Sequence, residues 1–171
     1  GEKADTVEED TDASDPQQVK ANELVARYKK KMPVQSLMDV LKEMMEMVNS
    51  IEKYENGIAS KLLKKIGSAY FDYKSVRKAS AKLLAELDFA KTAAKMFKYL
   101  NKKGIFSNDN VWFPAYYLLT CAWNYTDPST ELCTSICEDK GFLKMILENI
   151  KHQPYRDNQK NKNVKYILKS S

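Results

Sequence analysis

The sequence predicts an all-α fold, and three observations carry that prediction. Apolar residues recur at three- and four-residue spacing along most of the 171 residues, which puts them on one face of successive helices. Lys, Leu, Ala, Glu and Met dominate the central region, and all are good helix formers. Only five Gly and five Pro occur, too few for the turns of an all-β fold or for a glycine-lined phosphate loop.

The elements follow in order. Residues 1–16 hold seven acids (Glu2, Asp5, Glu8, Glu9, Asp10, Asp12, Asp15) against Lys3 alone, a net charge of −6, so the rest of this +5 chain carries +11. So acidic and apolar-poor a segment buries too little surface to offset its ordering entropy and is expected to be a disordered tail. Asp15-Pro16 then suits a helix start, the carboxylate accepting from free amides and the proline tolerating the first turn. The helical domain is accordingly expected over residues 17–171.

Leu24, Val25 and Tyr28 form a short stripe that stops before Lys29-Lys30-Lys31 and Pro33. From Ser36 to Tyr54, Leu37, Val40, Leu41, Met44, Met45, Val48 and Ile51 form one apolar face, with Met47 outside it, and Asn56-Gly57 is expected to close that helix. Ile58, Leu62, Leu63 and Ile66 open the next helix, followed by Tyr70, Phe71 and Tyr73. Val76, Ala79, Leu83, Leu84 and Leu87 make another stripe, and Ala90, Ala94, Phe97 and Leu100 continue to Gly104. A helix over about 110–124 turns Ala115, Leu118, Leu119 and Ala122 inward. Asp127-Pro128 breaks the chain, and Ser129 or Asp127 caps a short helix ending near Asp139. Gly141 leads into a helix with Phe142, Leu143, Ile146, Leu147 and Ile150 inside. After the polar residues 151–163, Val164, Tyr166, Ile167 and Leu168 begin an amphipathic segment too short to hold alone, which reads as a piece cut from a longer array.

Two stretches repeat. Leu83-Leu84 and Leu118-Leu119 lie 35 residues apart, and the junctions Lys103-Gly104-Ile105 and Lys140-Gly141-Phe142 lie 37 apart. A helical period of about 35–45 residues belongs to stacked-helix solenoids. The run Ala115–Ile150, and within it Ile136-Cys137-Glu138-Asp139-Lys140-Gly141-Phe142-Leu143, resembles an armadillo-repeat junction: long third helix, short loop, short first helix, second helix. The resemblance spans about residues 74–171, and HEAT-type arrays read almost the same way.

The resemblance implies a right-handed α-solenoid and a protein-interaction scaffold that uses its concave surface. It also implies an alternative, a regulatory array in a larger signalling protein (TIR-linked or NAD-cleaving, for example), while aromatics interleaved with lysines give another, an RNA-binding repeat. In armadillo proteins that grip extended peptides, an Asn late in the third helix holds the bound backbone. Here Cys121 and Ala85 stand at that place, and Asn124 follows a turn late, so binding through aromatic and charged side chains is expected instead. The groove candidates are Phe113, Tyr117 and Asn124, with Lys74 and Lys78 adding positive charge from the equivalent preceding helix. The aromatic group Trp112, Phe113, Tyr116, Tyr117, Trp123 and Tyr125 could equally be buried against a neighbouring repeat.

No catalytic constellation is legible, so the chain is not expected to be an enzyme, and no cofactor or metal is expected. His152 is the only histidine and has no nucleophile at triad spacing. Cys121, Cys133 and Cys137 read as small core hydrophobes, and three unframed cysteines fit a reducing, cytoplasmic (or nuclear) setting. The lysine runs carry no recognised nucleic-acid signature, and the Asn124-Tyr125-Thr126 sequon would matter only in a secreted protein. No stretch reaches the roughly 18–20 apolar residues that span a bilayer.

Overall fold

The computed structural model describes residues 15–151, with side chains to Glu148. The acidic segment 1–14, His152 and the expected terminal helix lie outside them. Among the described residues every regular element is helical: α1 (Pro16–Arg27), α2 (Val34–Ser50), α3 (Ile58–Asp72), α4 (Arg77–Glu86), α5 (Phe89–Lys103), α6 (Asp109–Tyr125), α7 (Thr130–Glu138) and α8 (Lys140–Lys151), with a 3₁₀ turn at Lys74–Val76. None is long and apolar enough to cross a membrane.

Several termini follow the residues that predict them. The Asp15 carboxylate accepts from the Gln17 amide at 2.9 Å, with Pro16 in the first turn. Ser129 caps α7 by accepting from the Leu132 amide at 3.1 Å, and Asp139 does the same for α8 through the Phe142 amide at 3.0 Å. These caps satisfy amides that have no partner within the helix.

Other boundaries differ from expectation. α2 stops at Ser50 rather than Tyr54. The Ser50 hydroxyl turns back onto the Met47 carbonyl at 2.8 Å and Ile51 is extended, yet Ile51 and Tyr54 still enter the core. Gly57, at φ 86°, belongs to the start of α3 rather than to the end of α2. It takes the left-handed geometry that only glycine adopts freely, while the Asn56 side chain accepts from the Ile58 amide at 3.2 Å. Gly141 lies inside α8, where it turns nothing.

The inner faces also shift in places. Met47 is only 5% exposed, because neighbours cover α2 more widely than one stripe. In α4 the buried residues are Ser80, Ala81 and Leu84, whereas Ala79 is exposed and Val76, Leu83 and Leu87 are half-buried. The 3₁₀ turn takes up Val76 and starts the helix one residue later, rotating the inner face. Ser80 is accommodated because its hydroxyl donates to the Val76 carbonyl at 2.9 Å. Likewise α8 buries Phe142 fully, half-buries Leu143 and Ile146, and leaves Leu147 53% exposed; the Ile150 side chain lies outside the described ones.

α1, α3 and α6 run parallel and side by side. Gln18 reaches the Asn56 carbonyl, Lys61 reaches Asn22 and Tyr28 reaches Asp72, so residue numbers climb together along the pair α1–α3. Cys121 donates to the Leu63 carbonyl at 3.3 Å and Tyr125 to the Ile66 carbonyl at 2.7 Å, so α6 runs the same way along the other side of α3. Behind this layer α4 packs on α7, and α5 packs on α8, where the Phe97 and Phe142 rings meet edge to face at 5.8 Å. Asn49 of α2 ties the two layers together. It donates to the Leu87 carbonyl at 2.8 Å and accepts from the Thr92 hydroxyl at 2.6 Å, holding the tight turn where Asp88 sits at φ 59°.

Candidate functional site

Burial of one face of α3 and of α6 leaves two large aromatics outside. Phe71 is 57% exposed and Trp123 is 62% exposed, and they stand near the C-terminal ends of these two neighbouring helices. Isolated exposed aromatics are ordinary, but a group of them beside a cavity marks a contact surface. Between the helix ends lies an open cleft of about 380 Å³ lined by Tyr70, Trp123, Asn124, Thr126 and Asp127.

Its wall is built by packing. The Tyr70 ring meets Phe71 at 5.2 Å and Tyr125 at 5.4 Å, both edge to face. The Arg77 guanidinium lies over the same ring, 3.8 Å from its centre, and its Nε donates to the Tyr70 carbonyl at 2.6 Å. Among the described residues Arg77 enters no ion pair. Beneath the cleft, burial pushes the Tyr125 phenol well above its ordinary pKa, which keeps it neutral and its hydrogen bond to Ile66 intact. The Thr126 hydroxyl bonds back to the Ala122 carbonyl at 2.8 Å. Asn124 and Asp127 are then the cleft's polar groups, opposite an aromatic wall with a cation behind it.

Of the groove candidates read from the sequence, Asn124 lines this cleft. Phe113 and Tyr117 stand earlier on α6, half-buried and packed on the core, with their rings stacked at 6.2 Å and 17°. Trp112 and Tyr116 stack beside them at 5.0 Å and 6°, so these four rings make a continuous aromatic strip that is partly core and partly surface. Lys74 falls in the 3₁₀ turn and Lys78 in α4, both exposed; the cation packed against the cleft wall is Arg77, between them in sequence.

Tyr70, Phe71, Trp123, Arg77 and Asp127 were not among the groove candidates. A signal for one of them is present in the sequence: Phe71 lies off the stripe of Leu62, Leu63 and Ile66, whereas Trp123 follows the inward Leu119 by four residues.

The cysteines divide. Cys121 is fully buried and burial pushes its thiol up to about 12, as a core hydrophobe should behave. Cys133 and Cys137 are exposed, contrary to the core reading, because α7 buries only Leu132 and Ile136. A second open cleft, about 460 Å³, runs along α8 between Lys140, Leu143, Lys144, Leu147 and Glu148. No family model, no curated protein sequence and no solved structure matches the chain.

Proposed function

We propose that this chain is a non-enzymatic protein-interaction module of armadillo-like, three-helix repeats, and that the cleft between the ends of α3 and α6 takes an acidic segment of a partner protein. The observation that carries this is the pair Phe71 and Trp123, both more than half exposed near the ends of the helices that flank a cleft whose Tyr70 ring is backed by the Arg77 guanidinium.

The repeat reading is supported by packing: α3 lies on α6, α4 on α7 and α5 on α8. These three pairs are three places apart, as in stacked three-helix units, while α1 meets α3, α2 meets α4 and α5 meets α7 two places apart. The acidic chemistry follows from charge. The chain outside residues 1–16 carries +11, and Arg77 offers a planar fork suited to carboxylates. Trp123 and Phe71 supply rigid apolar area of the kind that dominates binding energy at interfaces.

The test is selection from a displayed peptide library on the whole chain. Enriched peptides should be acidic with an apolar anchor, and Trp123→Ala and Arg77→Ala should each weaken them at least tenfold with helical circular dichroism unchanged. Peptides that bind both variants as well as the native chain would remove the cleft from the function.

A further inference from the structure

Cys133 and Cys137 stand one turn apart on the solvent face of α7. Cys121 takes no part, since it is buried and donates to the Leu63 carbonyl. The described residues give the pair no further His, Cys, Asp or Glu with which to form a three-ligand group.

Helix geometry decides what such a pair can do. Residues four apart hold their Cβ atoms about 5–6 Å apart, whereas a disulfide needs about 3.5–4.5 Å, so oxidation within α7 would require the turn to open. A single bridging ion relaxes that limit. With two metal–sulfur bonds of roughly 2.3 Å each, the sulfurs can stand about 4.6 Å apart in a linear arrangement. Two ligands are too few for a structural zinc site, while soft thiolates select monovalent copper.

We propose that Cys133 and Cys137 form a two-thiolate site for a soft monovalent cation, Cu(I). Binding forms two S–Cu bonds and breaks two S–H bonds: one Cu⁺ and two thiols give a copper dithiolate of net charge −1 and release two protons, with no electron transferred. Because two protons leave as the metal binds, protons compete with it and affinity climbs with pH.

The experiment titrates the reduced, full chain with Cu(I) under nitrogen against a coloured Cu(I) chelator. One equivalent should leave the chelator, Cys133→Ser and Cys137→Ser should each hold it at least tenfold more weakly, and affinity should rise by up to about a hundredfold per pH unit while both thiols are protonated. Both substitutions are on the exposed face, so the fold is retained, and circular dichroism checks it. A native chain that holds Cu(I) no better than the double variant overturns the proposal. So does copper-dependent dimerisation in sedimentation, which would place the ion between two chains.

Discussion

The Arg77 guanidinium lies 3.8 Å from the centre of the Tyr70 ring and donates to the carbonyl of the same residue. One side chain thus fixes both the ring plane of the cleft wall and the backbone at the end of α3. A lysine keeps the charge but loses the planar stacking and the fork. Arg77→Lys should lower the unfolding free energy by about 1 kcal/mol in urea and weaken acidic peptides nearly as much as Arg77→Ala. Equal binding by Arg77→Lys would mean that charge alone matters.

The Tyr125 phenol supplies one of two buried hydrogen bonds from α6 to α3, beside that of Cys121. Tyr125→Phe keeps the ring and removes only the bond to the Ile66 carbonyl, so a loss of about 1–2 kcal/mol is expected. The midpoint of urea unfolding should fall with its slope unchanged.

Asn49 bridges two groups with opposite needs, the Leu87 carbonyl and the Thr92 hydroxyl. Asn49→Asp retains an acceptor for Thr92 but places a carboxylate oxygen against the carbonyl. It should therefore be at least as destabilising as Asn49→Ala, which should cost about 1–3 kcal/mol. A milder effect of Asp in thermal unfolding would show that the side chain can turn away.

High pH should loosen the fold. The Tyr99 phenol is raised to about 12, first by its hydrogen bond to Glu55 and then by desolvation, and burial raises the Cys121 thiol to about 12. A raised folded-state pKa contributes stability that is complete below the unfolded value and lost as pH climbs to the folded one. Stability should thus decline from about pH 9 for the thiol and pH 10 for the phenol toward pH 12. Tyr99→Phe should flatten the upper part of that decline in chemical denaturation across pH 8–12.

Thiol labelling should separate the three cysteines. At pH 8, Cys133 and Cys137 should react with an aromatic disulfide reagent within minutes, and Cys121 only on the timescale of opening of the α3–α6 contact. Three equally fast thiols would contradict the burial of Cys121.

Much of this fold was legible in the sequence because it rests on long amphipathic stripes. Leu37 to Val48 in α2 and Ala115 to Ala122 in α6 are buried as their spacing requires. Local polar chemistry was legible too, at Asp15 and Ser129. Short helices were harder. In α4, Leu83, Leu84 and Leu87 offer two overlapping apolar faces, and packing against α2 and α7 selects between them. The cleft was least legible, since it arises where the ends of α3 and α6 meet, and only Asn124 was read as a surface residue there. Phe71 and Trp123 belonged to apolar-rich runs, and their exposure follows from rotation about helices whose neighbours are distant in sequence.

The parallel course of α1, α3 and α6 has an electrostatic consequence. Parallel helices add their macrodipoles, so one edge of this layer gathers three C-terminal ends, each bearing about half a negative charge. Tyr28, Tyr70 and Tyr125 mark that edge, and the cations Lys29, Lys30, Lys31, Lys74 and Arg77 follow the ends of α1 and α3 in sequence. Those side chains work against a field the backbone itself creates. Removing Arg77 therefore does more than subtract one charge, because it also uncovers a locally negative helix terminus behind the Tyr70 ring.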